Sequence, residues 1–264
     1  MGSATREALA RSVSALAAQG TKADLATAED LFAAGRVVAD SAQLRAALTD
    51  PSAVPAGKAA LIERVFGSQV SPTALELLTV VAAQRWSKAV DLLAALEELG
   101  IRAIAQSAPA DVDIATELFT FGGAVTSNAG LELALRSKLA DPASKAALVD
   151  RLLAGKASKQ TAAIVGQLVL QPRGRSIREA LRDAARMVAA QSELTIATVY
   201  TATSLPAEQE KRLQAVLAKK YGKLKINQIV DTALVGGLRV QIGDDVIDGS
   251  IASRIHELRL QLVG

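Results

Sequence analysis

The sequence predicts an α+β protein that is mostly α-helical, with a duplicated N-terminal helical bundle followed by a small β-α-β-β-α C-terminal domain. Three observations predict this class. Alanine and leucine dominate a 264-residue chain of which only 3% is aromatic, and such residues favour helices that pack closely on one another. Apolar residues recur at helical spacing as far as about residue 190. Beyond that point, short alternating segments predict strands.

Helices are predicted throughout the first hundred or so residues. Their extent follows from apolar residues three and four positions apart, and their ends follow from glycine and proline. Pro51, for example, ends the third helix because proline disfavours helical backbone in the residue before it. We expect an interruption at Gly100 in the sixth helix. The predicted helices cover residues 4–18, 23–39, 44–48, 58–66, 72–83 and 86–106.

The next part of the chain repeats the first. When residues 30–67 are compared with the residues 87 positions later, sixteen of the thirty-eight pairs are identical without a gap. Chance matches of alanine do not explain why Phe32, Gly35, Pro55 and Lys58 all recur in register. We therefore infer an internal duplication.

The duplication has a consequence for the helix at residues 86–106. The first helix, shifted by 87 positions, falls on the later half of that helix, with Leu9 on Leu96. We predict that this helix closes the first bundle and opens the second. Three domains are predicted. The first bundle covers residues 1–107. The second, related bundle covers residues 108–192 and shares or abuts helix 86–107, and a small α+β domain covers residues 193–264.

The C-terminal domain is predicted from two kinds of pattern. Residues 206–221 have helical spacing, and acidic residues at the start and lysines at the end complement the helix macrodipole. Leu213, Val216, Leu217 and Tyr221 are predicted to form the buried stripe of that helix. Alternation predicts strands. The three predicted strands cover residues 194–200, 224–230 and 238–242. Before them, the last helix of the second bundle is predicted at residues 176–190.

The run from Asp231 to Ser250 is the most specific part of the sequence. The pair Gly236-Gly237 predicts a bulge or a close backbone approach just before the strand at 238–242. Turn residues follow that strand, and Val246-Ile247 begins a short return strand. Ser250 is a candidate N-cap for a final amphipathic helix.

This run reads Asp-x-x-Leu-Val-Gly-Gly-Leu-x-Val-x-Ile-Gly-Asp-x-Val-Ile-Asp-Gly-Ser. It resembles the C-terminal signature of the ATP synthase delta subunit family, whose mitochondrial relative is the oligomycin sensitivity conferral protein. The duplicated bundle resembles the long form of this family found in some high-GC Gram-positive bacteria. The motif residues, which the resemblance assigns to the structure or the stalk contact of the tail, are Gly236, Gly237, Leu238, Asp248, Gly249 and Ser250.

The resemblance implies a non-catalytic stator subunit of the proton-translocating rotary ATP synthase. In that family the helical domain binds the N-terminal helix of an alpha subunit at the top of the catalytic head. The tail binds the C-terminal end of the peripheral-stalk b subunit, and the joint resists the torque of the rotor. The implied location is the cytoplasmic face of the bacterial cell membrane, peripherally and without direct membrane insertion. The candidate groove for the alpha-subunit helix contains Leu9, Val13 and Leu16.

The chain lacks the residues that most catalytic and cofactor sites need. It has no cysteine, which excludes thiol catalysis, disulfides and cysteine-ligated metals. The single histidine, His256, cannot build a usual zinc site. Asp244, Asp245 and Asp248 lack the spacing of a calcium loop, no phosphate-binding glycine motif occurs, and no apolar run approaches a membrane span. We therefore expect no cofactor, no metal and no catalytic site.

An alternative function stays open at this point. A helical nucleic-acid- or protein-binding regulator could use the basic face Lys211–Lys225, which contains no acidic residue. The net charge of only +3 makes the solvated side of an amphipathic helix the better explanation, and we expect no nucleic-acid partner. Saturable binding of an alpha-subunit helix favours the adaptor, whereas salt-sensitive binding of duplex DNA favours the regulator.

Overall fold

The structure is a computed structural model that describes residues 2–137, 141–191, 195–243, 245–251 and 253–255. The chain divides into two compact units, Met1–Val188 and Ala189–Gly264. The first unit is helical, and the second contains a four-stranded sheet and a helix. The predicted class, α+β and mostly α, is confirmed. The finer domain boundaries after residues 107 and 192 stay predictions.

The helices of the first unit follow one another through short connections, and a 3-10 turn at Gly20–Lys22 follows the first of them. The helices are α1 (Ser3–Gln19), α2 (Leu25–Asp40), α3 (Ala42–Thr49), α4 (Pro55–Phe66), α5 (Pro72–Ala83), α6 (Ala89–Ser107), α7 (Ile114–Ser127), α8 (Ala129–Arg136), α9 (Pro142–Leu153), α10 (Lys159–Leu170) and α11 (Ile177–Gln191).

Side-chain caps explain where several of these helices begin. The Asp24 carboxylate accepts a hydrogen bond from the Thr27 amide at the start of α2, and the Ser71 hydroxyl accepts one from the Ala74 amide at the start of α5. These acceptors satisfy amides that the first helical turn leaves without a backbone partner. The corresponding caps of α3, α7, α8, α9 and α10 are Ser41, Asp113, Asn128, Asp141 and Ser158.

Helix α6 lies at the centre of the helical unit. It packs against α1, α2, α3, α5 and α10, and most of its side chains are buried. The helix continues through Gly100, so the predicted interruption there is wrong. Glycine is used for packing instead, because a Cβ atom at Gly100 would come 2.3 Å from the Phe32 ring. The helix also begins at Ala89 and not at Trp86, whose indole N–H donates to the Val81 carbonyl at 2.8 Å and anchors the preceding loop.

The structure repeats its helices at the interval found in the sequence. Helices α8, α9 and α10 begin and end 87 residues after α3, α4 and α5. Their packing is repeated too, since α4 packs on α5 as α9 packs on α10. A tertiary hydrogen bond also recurs: Asp30 accepts from the Ser71 amide at 2.7 Å, and Glu117 accepts from the Ser158 amide at 3.0 Å. The duplication therefore extends from sequence to hydrogen bonding.

A buried carboxylate connects the two sets of helices. Glu97 of α6 has a side chain that is 1% exposed, and it pairs with Arg173 at 2.6 Å and with Arg175 at 2.9 Å. Both arginines lie in the turn after α10. The buried charge is thus compensated by two guanidinium groups, which hold this turn against α6.

The second unit is built around a sheet with the strand order β2-β1-β3-β4. Its elements are β1 (Thr195–Thr201), α12 (Ala207–Tyr221), β2 (Leu224–Val230), β3 (Gly237–Ile242) and β4 (Asp245–Ser250). β1 pairs with β2 in parallel and with β3 antiparallel, and β3 pairs antiparallel with β4. The parallel pair requires a crossover, which α12 provides. The core is formed by Ala197, Val199, Leu217, Leu224, Val240 and Ile242.

Replacing Glu97 with alanine should lower the free energy of unfolding by about 2–4 kcal/mol, because the partly buried Arg173 and Arg175 lose the carboxylate they share, although Arg175 keeps Asp183 at 3.7 Å. Urea denaturation followed by circular dichroism measures this change. Glu7→Ala is the control, since it removes a pair with Arg11 in which the side chains are 66% and 65% exposed. The control should cost less than about 0.5 kcal/mol; equal effects of the two substitutions would contradict the structural role of Glu97.

Glu117 gives the helical unit a pH-dependent contribution to stability. Burial raises the pKa of this carboxyl, but hydrogen bonds from the Ser158 and Thr161 hydroxyls and the Ser158 amide outweigh that effect, so its pKa lies below the ordinary 4.5. The ionised form therefore stabilises the folded state. Its contribution is fully present above the unfolded-state pKa and is lost as the pH falls through the folded-state pKa.

Glu117→Gln should therefore destabilise the protein by about 1 kcal/mol at neutral pH, because the acceptor loses its charge. The difference from the unsubstituted protein should shrink as the pH falls below 4.5. Urea midpoints measured from neutral to acid pH test this. Glu76→Gln, at an exposed position of α5, should have little effect at any pH, and a Glu117→Gln defect that grows towards acid pH would refute the assignment.

Candidate binding surfaces

The candidate groove residues of α1 do not share one environment. Helix α1 packs against α5 and α6. Leu16 is 1% exposed and belongs to the core, so its side chain does not form part of an open surface. Leu9 and Val13 are half-buried and lie beside the buried face. That face consists of Thr5, Ala8, Ser12 and Leu16.

Hydrogen bonds hold both ends of α1 in place. Near its start, the Thr5 hydroxyl donates to Asp91 at 2.8 Å and accepts from the Ser87 amide at 3.2 Å. Beyond its end, the Gln106 side-chain amide donates to the Gly20 carbonyl at 2.8 Å. A surface fixed at both ends is preorganised. Binding a partner therefore costs less conformational entropy than binding to a flexible surface would.

The predicted close backbone approach at Gly236-Gly237 is present. Gly237 has a φ of 80°, and a Cβ atom there would lie 2.5 Å from the Gly249 carbonyl oxygen and 2.8 Å from the Ser250 Cα atom. The Gly236 carbonyl accepts a hydrogen bond from the Ile251 amide at 3.1 Å. Glycine alone combines this left-handed backbone with so close a contact. The pair therefore lets the start of β3 pass directly against the end of β4.

Asp248 and Ser250 fix the end of β4 and the turn that follows it. The Ser250 amide donates to Asp248 at 2.9 Å, and the Ser250 hydroxyl accepts from the Ser253 amide at 3.2 Å, as an N-cap does. Hydrogen bonds from Ser250, helped by the charge of Arg239, lower the pKa of Asp248. Leu238 packs against the core of this unit. The motif residues thus act within the fold of the tail.

The second unit also exposes apolar side chains whose exposure was not predicted from the sequence. Strand β4 lies at one edge of the sheet, and its residues Val246 and Ile247 are 59% and 39% exposed. Val235, just before the glycine pair, is 86% exposed. The available signal was the adjacency of Val246 and Ile247, because neighbouring strand residues point to opposite faces and one of the two must leave the core. Further exposed apolar residues nearby are Ile251 and Ile255.

The basic face of α12 is solvated, and one predicted core residue lies on it. Leu217 is buried against the sheet and Leu213 packs beside it. Val216 is 63% exposed, so its predicted place on the buried stripe is wrong, because the stripe is too narrow to include the residue next to Leu217. The basic residues of α12 are exposed, namely Lys211, Arg212, Lys219 and Lys220.

The described residues contain neither a possible metal site nor a possible membrane-spanning helix. These residues contain no group of three or more carboxylate or histidine side chains placed to hold a metal ion. Among the same residues, no helix combines the length and the apolar character needed to cross a membrane. His256, Asp244 and the later part of the predicted final helix lie outside the described residues.

Comparison with known proteins identifies the family. The model of the family described as "ATP synthase delta (OSCP) subunit" matches residues 9–112 and, a second time, residues 101–262. The chain belongs to this family. It is 70% identical over 264 residues to the ATP synthase subunit delta of Leifsonia xyli subsp. xyli, with 100% of both chains covered. It is 40% identical to the ATP synthase subunit delta of Streptomyces avermitilis, over 98% of this chain and 97% of that one.

A solved structure is similar to part of the chain. It comes from a cryo-EM study of the Toxoplasma gondii mitochondrial ATP synthase hexamer and is similar over 64% of this chain and 98% of that chain. Its TM-score is 0.37 at 19% identity, so the assignment rests on the family match.

Membership of the delta family confirms the predicted role as a stator subunit of the rotary ATP synthase. The chain is a structural subunit of that complex and not its catalyst. The two overlapping matches agree with the predicted long form, in which the helical part is duplicated. The alternative, a regulator that uses the face Lys211–Lys225, finds no support in these comparisons.

Gly237→Ala should destabilise the second unit much more than Gly243→Ala. Both glycines have positive φ, but a Cβ atom at Gly243 meets nothing within 4 Å, whereas one at Gly237 meets backbone. We expect a cost of about 1–2 kcal/mol at Gly243 from the backbone conformation alone, and about 3 kcal/mol or more at Gly237. Hydrogen exchange of the β1 and β3 amides measures both. Equal costs would show that the close approach is not required.

Proposed function

We propose that this subunit joins the N-terminal helix of an alpha subunit, at the top of the catalytic head, to the C-terminal end of the peripheral-stalk b subunit. It acts at the cytoplasmic face of the bacterial cell membrane, attached peripherally through the complex, and it resists the torque of the rotor. The observation that carries the proposal is the family match, which occurs twice along the chain.

The first bundle supplies the proposed surface for the alpha-subunit helix. Leu9 and Val13 of α1 are half-buried. Helix α5 packs beside α1, and Val80 and Gln84 near its end are half-buried as well. A preformed groove between two helices binds an amphipathic helix through apolar residues at helical spacing. Leu16 is buried in the core and is therefore not part of the proposed contact surface.

The second unit supplies the proposed surface for the b subunit. Val246 and Ile247 lie on the edge strand β4, and Val235 lies close to it along the chain before β3. The motif residues Gly237 and Ser250 hold these segments in place. Exposed apolar residues gathered on a rigid turn and an edge strand favour contact with another protein chain.

The proposed role also requires stiffness, because a coupler that deforms under torque lets the head turn with the rotor. Polar contacts between distant parts of the helical unit support this part of the proposal. Glu97 holds Arg173 and Arg175 across the centre of the unit, and Thr5 ties α1 to Asp91. Such contacts restrict sliding of one helix along another more than apolar packing alone.

A synthetic peptide with the sequence of the alpha-subunit N-terminal helix should bind this chain with saturation in isothermal titration calorimetry. Its affinity should change little with salt, since the contacts are apolar. Val13→Glu should weaken binding at least about tenfold, because the substitution places a charge in an apolar groove.

Leu133→Glu is the matched control. Leu133 is an apolar residue of α8 that is 70% exposed and lies outside the proposed groove, so affinity should be unchanged. If Leu133→Glu and Val13→Glu weaken binding equally, the proposed site on α1 is wrong. If duplex DNA binds instead of the peptide, with a steep salt dependence, the adaptor function itself is wrong.

A further inference from the structure

The duplication creates two potential grooves for a partner helix, one in each set of helices. In the first set the groove lies between α1 and α5. The residues 87 positions later belong to α6 and to the end of α10, so the equivalent groove lies between those two helices. Helix α6 packs against α10, as α1 packs against α5. The two grooves are therefore built from corresponding elements.

The second groove is already filled by helix α2 of the same chain. Leu96 and Gly100 of α6 correspond to Leu9 and Val13 of α1. A Cβ atom at Gly35 of α2 would lie 3.7 Å from Leu96, which is ordinary contact, and one at Gly100 would lie 2.3 Å from the Phe32 ring. The two positions that are half-buried on α1 are thus fully buried on α6, where α2 packs against them.

Helix α2 also contacts the other wall of the second groove. The Gln171 side-chain amide donates to the Gly35 carbonyl at 3.4 Å, and Gln167 donates to Gln171 at 2.8 Å. The Arg36 guanidinium in turn donates to Gln167. Gln167 and Gln171 correspond to Val80 and Gln84, the residues assigned to the α5 wall of the first groove. Helix α2 therefore spans α6 and α10 in the way that a partner helix would span α1 and α5.

Helix α2 cannot leave this position without unfolding the first set of helices. Leu31 and Val38 of α2 are 0% and 1% exposed, and Phe32 is 3% exposed. Asp24 caps the helix, and Asp30 ties it to the start of α5. Releasing α2 would expose all of these apolar side chains to water.

We propose that α2 permanently occupies the second groove, so that each chain binds one partner helix, on α1 and α5 only, despite its duplication. This inference rests on the proposed function. The internal occupant also indicates the kind of helix that fits the open groove. In α2, the large apolar residue Phe32 and, three positions later, the small residue Gly35 pack against α6. A partner helix that fits the open groove should place a large and a small residue against α1 with the same spacing.

The test is the number of binding sites for the synthetic alpha-subunit helix, measured on the full chain by isothermal titration calorimetry and by sedimentation of the complex. One peptide per chain is expected. Val13→Glu and, independently, Val80→Glu should weaken the only site at least about tenfold, and neither should leave a site of undiminished affinity. Circular dichroism shows whether each variant keeps its helices, and the stoichiometry of the unsubstituted chain needs no variant.

Each outcome separates this inference from the proposed function. Two peptides per chain, or one peptide bound with undiminished affinity to the folded Val13→Glu and Val80→Glu variants, would overturn the occupied groove while leaving the adaptor function intact. Failure of the unsubstituted chain to bind the peptide at all would overturn the proposed function, and this inference with it.

Discussion

The helical unit depends on one constraint, which is that α6 must pack against neighbours on nearly every side. A surface helix has one apolar stripe, whereas a helix that is apolar on all sides is buried. Leu99 and Ile104 are 0% exposed, Gly100 admits the Phe32 ring, and Glu97 meets two arginines. Gly100 meets α2 and Glu97 meets the turn after α10, so the residues of this one helix are matched to neighbours from both sets of helices.

The two copies of the repeat have diverged where their environments differ. Val13 is half-buried on α1, and its counterpart on α6 is Gly100, where any larger side chain would clash with Phe32. Ala10 is exposed on α1, and its counterpart is the buried Glu97. A duplicated helix that becomes central must lose bulk where a neighbour approaches and can gain a charge only where partners surround it. The substitutions between the copies thus record the change from an outer helix to a central one.

Much of the fold could be predicted from the sequence because its signals are local. The limits of α5 and β2 were predicted correctly at Pro72–Ala83 and Leu224–Val230, since proline, glycine and alternating residues mark them. The features that failed depend on distant residues. Gly100 does not interrupt α6, because Phe32 packs against it. Helix propensity is a property of the residue type alone and does not include this tertiary contact. The partners of Glu97 lie 76 and 78 residues away, beyond the reach of any periodicity.

The candidate sites show the same division. Sequence spacing groups Leu9, Val13 and Leu16 on one face of α1, but it cannot show that α5 and α6 already cover the last of them. The C-terminal motif identified the family, yet its residues close a turn: Gly237 gives room to the Gly249 carbonyl. Residues available to a partner, such as Val235 and Val246, are interspersed with the motif, and only the paired strands show that Val246 and its neighbour Ile247 are both exposed. A motif of turn residues is specific because few side chains satisfy its geometry. The fixed geometry of this turn also holds the neighbouring apolar side chains, such as Val235 and Val246, in fixed positions, which favours binding of a partner at this surface.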